Sequence, residues 1–340
     1  MTGNRIHVLD NVKGLLIVLV VVGHYLPQIP QWNQLATCVH ELVFLFHMPL
    51  FVLVSGLFAK SVYRDGRLRV EKVLSALALA FVYQAVLIAL ERPDRPLVEA
   101  LLDFRWAPWY LVSLATWYAL VPAFDRLRPV AGVGLALAAS LAAGCTPAAG
   151  DVLSFGRTLV FMPWFAAGYY LPLDAVARFR GDRRSRPVAV AAGVFVVGWF
   201  ALGLCDANPF FEFKYVLHAD AYRDGALVGT GERLLGFAAA ALVSAGLLRA
   251  LPDRRTPLAV LGERTLQIYV LHRVARPFLK AAGVFGLPLF SDPVSAVLAA
   301  VAVSALVAAA CAWGPLGRPF DALMRARWQP LLRAERAGRS

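Results

Sequence analysis

The chain has 340 residues, of which 59% are hydrophobic and only 16% are charged, and it carries a formal net charge of +12. Its mean hydropathy is +0.62. Soluble domains are roughly 45–50% apolar and about 25% charged, so this composition excludes a disordered chain, a nucleic-acid-binding domain and a typical cytosolic enzyme. About 200 hydrophobic residues are enough for about ten membrane helices of ~20 residues each. We therefore predict an all-α polytopic integral membrane protein that contacts membrane lipids and not nucleic acid.

Ten apolar segments are predicted to be the transmembrane helices, since glycine, proline and charged residues separate most of them. In chain order the predicted spans are residues 11–27, 38–59, 73–90, 108–124, 130–144, 157–173, 188–204, 230–248, 258–279 and 294–313. The sequence has no evident internal repeat or soluble appendage. Residues 1–340 are therefore predicted to form a single membrane domain.

The basic residues set the predicted orientation. If both termini are cytoplasmic, 23 of the 34 Lys and Arg residues lie in cytoplasmic segments and six lie in outer loops. This asymmetry satisfies the positive-inside rule, by which cytoplasmic loops carry an excess of Lys and Arg. We therefore predict a multi-pass protein of the plasma membrane with both termini in the cytoplasm.

The four cysteines give no sign of a metal site or of a disulfide framework. Cys38, Cys145, Cys205 and Cys311 form no CxxC pair and no cluster with histidine. Such spacings are the usual sequence mark of a zinc site or of a disulfide scaffold. We therefore expect no bound metal and no obligatory disulfide.

Five arginines fall inside predicted spans or at their first turns: Arg157, Arg233, Arg264, Arg273 and Arg276. A charged side chain near the bilayer centre costs at least about 2.5–3.5 kcal/mol, so such residues usually face a cavity and serve it. Arg157 and Arg233 both begin spans that enter from the outer side, and we predict that they line an outward-opening cavity. For Arg264 and Arg276, snorkelling to the membrane interface is an equal alternative.

Lys13 and His24 lie on one face of the first predicted helix. They are eleven residues apart, which at ~100° per residue is within about 20° of three full turns, and their axial separation is ~16 Å. Asp10 lies near the same stripe. We therefore expect His24 in the outer half of the membrane and Lys13 at the cytoplasmic mouth.

The second span adds two imidazoles and a carboxylate. His40 and His47 are seven residues apart and share a face, and Glu41 lies near the outer end of the span. A lone histidine in an apolar helix is usually a packing residue, but here two adjacent helices bring imidazoles toward one depth. Because imidazole titrates near neutral pH, His24 is the candidate general base. Glu41 is a candidate catalytic partner that orients it, as the carboxylate of a triad does, or else an interfacial carboxylate in water.

Several segments, taken in chain order, resemble those of the membrane acyltransferase family 3, and above all its branch of sugar O-acetylases that includes fucose 4-O-acetylase-like proteins. The hallmark of that family is a basic residue, ten intervening residues and a histidine on the first helix, which correspond here to Lys13 and His24. Further similar segments are Phe46-His47-Met48-Pro49-Leu50-Phe51, Trp109-Tyr110-Leu111, Arg157 with Phe161-Met162-Pro163-Trp164-Phe165, and Leu261-Gly262-Glu263-Arg264-Thr265-Leu266 with Ile268-Tyr269-Val270-Leu271-His272. Arg273 and Arg276, directly after these segments, depart from the family pattern.

The resemblance implies an O-acyltransferase that moves an acyl group, commonly acetyl, from acyl-CoA to a hydroxyl of a glycan or a related acceptor, with no further cofactor. A cation at the cytoplasmic mouth and a base ~16 Å deeper match the phosphate-rich head and the long arm of acyl-CoA. The expected binding roles are donor contact by Lys13 and Asp10, and acceptor or oxyanion contact by His47, Arg157, Arg233 and Trp109. Direct transfer with His24 as base and a covalent acyl-histidine intermediate are both open.

Two functions from other classes stand beside this one. A transporter or exporter of a glycan or small molecule also carries charge inside the membrane, but transporters often contain inverted repeats, and this sequence has no such symmetry. A non-catalytic membrane partner is the other alternative. Hydrolysis or transfer of the acetyl group of acetyl-CoA by the purified protein would separate an enzyme from both.

Overall fold

The computed structural model describes residues 7–104, 107–146, 152–203, 221–326 and 328. Most of these residues are α-helical, which confirms the predicted all-α membrane protein. The described helices, numbered in chain order, are α1 His7–Tyr25, α2 Gln34–Phe58, α3 Val70–Glu91, α4 Leu97–Leu102, α5 Trp109–Arg126, α6 Pro129–Ala143, α7 Phe155–Tyr170, α8 Ala175–Gly181, α9 Arg186–Ala201, α10 Ala226–Ala250, α11 Pro257–Glu263, α12 Thr265–Ala281, α13 Pro293–Cys311 and α14 Arg318–Met324. A short antiparallel hairpin of β1 (Tyr63–Arg64) and β2 (Arg67–Leu68) lies between α2 and α3.

A helix lies at each of the ten predicted spans, but not all of these helices have the length of a membrane span. By length and apolar composition, five helices in the described ranges are able to cross a membrane, namely α1, α2, α3, α10 and α13, or six if α7 and α8, which meet at 81°, form one bent span. Helices α5, α6, α9 and α12 have 15 to 18 residues, fewer than the ~20 that cross a bilayer unaided. The span predicted at 258–279 is not one helix, because the backbone of Arg264 (φ −119°, ψ 21°) separates α11 from α12.

The packing of α1 on α11 is so close that backbone meets backbone. A side chain at Gly14 would collide with the carbonyl oxygen of Leu258, and a side chain at Gly262 would collide with the carbonyl oxygen of Asp10. Small residues at a helix crossing are how membrane helices approach closely. The two glycines therefore fix the position of α1 against the segment that leads into α12.

A second pair of glycines joins α2 to α7. A side chain at Gly56 would collide with the carbonyl oxygen of Phe165, and a side chain at Gly168 would collide with that of Leu53. The contact is reciprocal, like the one between α1 and α11. It fixes the relative position of two helices that both contribute to the cavity described below.

Polar contacts hold both ends of α1. Asn11, which is fully buried, donates from Nδ2 to the carbonyl oxygens of Pro252 and Arg254, each at 2.8 Å. Near the other end, the hydroxyl of Tyr25 donates to the carbonyl oxygen of His272 at 2.7 Å. Because buried polar groups are costly unless they are paired, these contacts hold the first helix in one rotation about its axis. The stripe that contains Lys13 and His24 consequently faces the interior of the bundle.

Cys38, in the second turn of α2, corrects the expectation about disulfides. It is disulfide-bonded, whereas Cys145 and Cys311 are free thiols. This disulfide could not be predicted from cysteine spacing, because short spacings such as CxxC reveal only local pairs. The carbonyl oxygen of Cys38 also accepts a hydrogen bond from Nε1 of Trp199 at 3.0 Å, which ties this end of α2 to α9.

Candidate active site

A cavity of about 230 Å³ lies among α1, α2, α5, α7 and α12, and we call it the histidine cavity. Four of the candidate site residues line it, namely His24, His47, Trp109 and Arg157. The other described lining residues are Val20, Phe44, Met48, Ala107, Tyr269 and Arg273. The fold thus brings together, from four different helices, two imidazoles, an indole and a guanidinium that are far apart in the sequence.

A second cavity, of about 250 Å³, includes Lys13 in its wall, and we call it the lysine cavity. Its described lining is largely aromatic and aliphatic, with Lys13 as its one charged side chain. The residues are Lys13, Phe51, Val54, Ser55, Phe58, Ala76, Tyr110, Leu111, Leu114, Tyr118, Thr265, Leu266, Tyr269 and Met324. Among the residues that the structure describes, only Tyr269 lines both cavities, so its side chain lies between them.

The side chain of Tyr269 is held from several directions. Its hydroxyl donates to the carbonyl oxygen of Ala107, and its own carbonyl oxygen accepts from the hydroxyl of Tyr83 at 3.0 Å. Its ring meets those of Tyr83 and Tyr110 edge-on, with centroids 5.7 and 5.8 Å away. The ring of Tyr269 is therefore held in one position between the two cavities, since turning it away would leave a buried donor and a buried acceptor unpaired.

A second histidine stacks on His24. The rings of His24 and His272 have centroids 5.2 Å apart and planes 26° apart. The Nδ1 atom of His272 lies 2.9 Å from the carbonyl oxygen of Ile268, which can only accept, so Nδ1 carries the proton. Its Nε2 is buried and has no hydrogen-bonding partner within the described ranges. His24 therefore sits between the cavity and a fixed, uncharged aromatic neighbour.

The tautomer of His47 is set by the backbone of its own helix. Its Nδ1 lies 2.6 Å from the carbonyl oxygen of Val43, so Nδ1 donates and Nε2 keeps its lone pair. A carbonyl on one ring nitrogen fixes both the orientation and the protonation of the other. His47 thus presents a hydrogen-bond acceptor on the same cavity that His24 lines.

Arg157 lies over the indole of Trp109. Its Cζ atom is 5.6 Å from the centre of that ring, and the ring of Phe161 stacks on the same indole at 5.2 Å. A guanidinium held on an aromatic face is stabilised by the ring quadrupole. This arrangement suits contact with a negatively charged oxygen in the histidine cavity.

At the lysine cavity, Lys13 is paired with a neighbour on its own helix. Its Nζ lies 2.8 Å from Oδ1 of Asp10 and 5.5 Å from the centre of the Phe58 ring. Asp10 is buried and does not line the cavity itself. It therefore positions the ammonium group, and the ammonium is the part that a ligand would meet.

A family model described as an acyltransferase domain matches residues 6–313. The chain belongs to the membrane acyltransferase family 3. Searches of the curated proteins and of the solved structures find no match. The matched region includes every lining residue of both cavities except Met324. The resemblance inferred from the motifs is thus confirmed at the level of the family, and the protein is a membrane acyltransferase that takes an acyl donor and an acceptor.

Besides Lys13 and Asp10 at the donor end, two candidate residues of this acyltransferase, Glu41 and Arg233, do not join the histidine cavity. Glu41 instead pairs with its neighbour His40, whose Nδ1 lies 3.1 Å from Oε1. On a helix, the step of six positions from Glu41 to His47 corresponds to about 600°, which places the two side chains some 120° apart, on different sides of α2. Arg233 is fully buried elsewhere, where it donates to the carbonyl oxygen of Ser140 and lies over the ring of Tyr222 at 4.7 Å.

Three residues of α12 were not assigned a role from the sequence, although the structure puts them at the site. Tyr269 and Arg273 line the histidine cavity, and His272 stacks on His24. Positions 269, 272 and 273 have the i, i+3, i+4 spacing of a single helix face. That periodicity is the signal in the sequence that predicts their common direction.

Proposed function

We propose that this acyltransferase moves an acetyl or similar acyl group from acyl-CoA to a hydroxyl of a glycan or related acceptor, as sugar O-acetylases of the fucose 4-O-acetylase-like kind do. The observation that carries the proposal is the pair of cavities along α1. Lys13 lines one, His24 lines the other, and Tyr269 alone of the described residues lines both. A cationic entrance followed by a basic residue ~16 Å away suits a donor with an anionic head and a thin, long arm.

The donor binds in the lysine cavity with its acyl end toward His24. The ammonium of Lys13, held by Asp10 at 2.8 Å, binds a phosphate or the entrance of the pantetheine arm. Charge-assisted contacts of this kind are about twice as strong as neutral ones. The aromatic and aliphatic lining suits the apolar parts of the arm, and the thioester reaches the histidine cavity by passing beside the ring of Tyr269.

In the transfer step, His24 takes the proton of the acceptor hydroxyl while its oxygen attacks the thioester carbonyl. The carbonyl oxygen becomes an oxyanion, which the guanidinium of Arg157 stabilises. Collapse of this intermediate breaks the carbon–sulfur bond, and the CoA thiolate takes the proton from the imidazolium. His47 accepts a hydrogen bond from the acceptor at Nε2, and Trp109 keeps Arg157 in place.

We further propose that all ten helical segments cross or enter the plasma membrane with both termini in the cytoplasm. The excess of basic residues in the segments assigned to the cytoplasm supports this orientation. So does the disulfide at Cys38, near the N-terminal end of α2, because in this orientation that end faces the outer, oxidising side where disulfides persist. A cytoplasmic donor then modifies an acceptor that arrives from outside.

The decisive experiment is His24→Ala in the full-length protein, assayed for release of CoA from acetyl-CoA and for acetylated acceptor. Loss of a general base is expected to reduce the rate by roughly 10²–10⁴-fold, with expression and membrane insertion unchanged. His40→Ala is the matched control, because His40 pairs with Glu41 and does not line the cavity. Transfer near the wild-type rate in His24→Ala contradicts the assignment. Wild-type protein that consumes no acetyl-CoA contradicts acetyl-CoA as the donor.

A further inference from the structure

The histidine cavity has positive charge from two arginine side chains in its wall. Two arginines and two histidines line it, and none of its described lining residues carries a carboxylate. Arg157 is on α7 and Arg273 on α12, so the two guanidinium groups approach the cavity from different helices. Neither general base catalysis nor stabilisation of a single oxyanion requires two arginines.

Of these two arginines, Arg273 is the one that departs from the family pattern. Its side chain is 6% exposed and its Nη2 lies 2.9 Å from Oε1 of Glu91. The same carboxylate oxygen is bound by Nη2 of Arg276 at 2.6 Å. One carboxylate therefore serves two guanidinium groups, which leaves positive charge in excess beside the cavity.

The Nε of Arg273 is buried and has no hydrogen-bonding partner among the described residues. An arginine in a membrane domain is expensive unless it faces water or an anion, and a buried donor left unpaired adds to that cost. Arg276 shares the same carboxylate but does not line the cavity. The ion pair with Glu91 therefore neutralises Arg273 only in part, and its guanidinium is placed to bind a ligand in the cavity.

We propose that the acceptor carries an anionic oxyacid group, a carboxylate, phosphate or sulfate, close to the hydroxyl that receives the acyl group, and that Arg273 binds it. The inference rests on the proposed function and deepens it, since it names an acidic saccharide as the acceptor class. A planar guanidinium matches the two oxygens of such a group, as a single ammonium does not. Arg157, across the cavity, remains directed to the oxyanion of the transfer step.

The test uses the full-length protein in detergent and measures binding of methyl glucuronide, glucose 6-phosphate and methyl glucoside by calorimetry. The two acidic sugars are expected to compete with each other for binding. At least one of them is expected to bind roughly ten- to a hundredfold more tightly than the neutral glucoside, which is the usual contribution of a charge-assisted hydrogen bond to affinity. Arg273→Gln is expected to abolish that preference. Arg276→Gln is the matched control, because it alters the same ion pair and leaves the cavity wall intact, and it is expected to keep the preference.

Equal affinity for acidic and neutral sugars overturns the proposal, as does a preference that persists in Arg273→Gln. An equal loss in Arg276→Gln shows that the ion pair only supports the fold, which also overturns it. If Arg273→Gln weakens acetyl-CoA instead, the anion belongs to the donor phosphates and not to the acceptor. These results are independent of turnover, so a failure here differs from a failure of His24-dependent acetyl-CoA consumption.

Discussion

Shortening Tyr269 should join the two cavities and let water reach the donor. Tyr269→Phe keeps the ring and removes the hydrogen bond to the carbonyl oxygen of Ala107, which is expected to cost about 1–3 kcal/mol because a buried acceptor loses its donor. Tyr269→Ala removes the ring as well, and a large-to-small change of this kind costs about 3–5 kcal/mol of stability. It also turns cavities of about 230 and 250 Å³ into one continuous space.

The assay compares acetate and acetylated acceptor formed from acetyl-CoA, with thermal unfolding measured on the same samples. For Tyr269→Ala we expect the ratio of hydrolysis to transfer to rise by at least about tenfold. Such a rise corresponds to a change of about 1.4 kcal/mol in the difference between the two activation free energies. The ratio for the Phe variant should lie between those of Tyr269→Ala and the wild type. Propionyl- and butyryl-CoA should also become better donors once the passage is wider. Unchanged product ratios and acyl-chain preference in a folded Tyr269→Ala protein would refute the idea that this ring separates the cavities.

Three further outcomes are expected. Lys13→Ala should raise KM for acyl-CoA roughly ten- to a hundredfold, because about 1.5–3 kcal/mol of charge-assisted contact is lost. Lys13→Arg should keep a KM near that of the wild type. An unchanged KM in the alanine variant would show that Lys13 is not part of the donor site. Arg157→Ala should lose transfer but bind acetyl-CoA as the wild type does by calorimetry, and a loss of acetyl-CoA binding would instead place Arg157 in the donor channel. The orientation is tested in a background that lacks the exposed thiol of Cys145. A membrane-impermeant thiol reagent outside intact cells should label Arg223→Cys and not Arg67→Cys. The reverse pattern would show that the predicted orientation is wrong.

Much of the fold follows from the sequence, because the apolar segments are long and glycine, proline and charged residues bound them. The break at Arg264 was not foreseen, since an apolar run continues on both sides of it. Apolar composition alone does not decide whether a segment spans: the 15 residues of α6 are apolar enough for a membrane but too few to cross one unaided.

The site was harder to predict than the helices. The shared face of Lys13 and His24 comes from helical geometry within one element, so the sequence contains it. Which helix packs against that face depends on close contacts such as the one at Gly262, and no spacing within α1 reveals them. The separation of Glu41 from His47 is different, because the same arithmetic of ~100° per residue would have shown that the two side chains lie on different sides of α2.

The glycine contact between α1 and α11 has a mechanical consequence. With backbone on both sides of the crossing, no layer of side chains is present to slide or repack, so α1 moves only as a unit with its neighbour. Lys13 and His24 are on that one rigid element, so their ~16 Å spacing stays constant. In the proposed reaction, a donor with a shorter arm than CoA would reach one of these two side chains but not the other. Helices that meet through side chains, such as α5 and α12 at the rings of Tyr110 and Tyr269, have no such constraint.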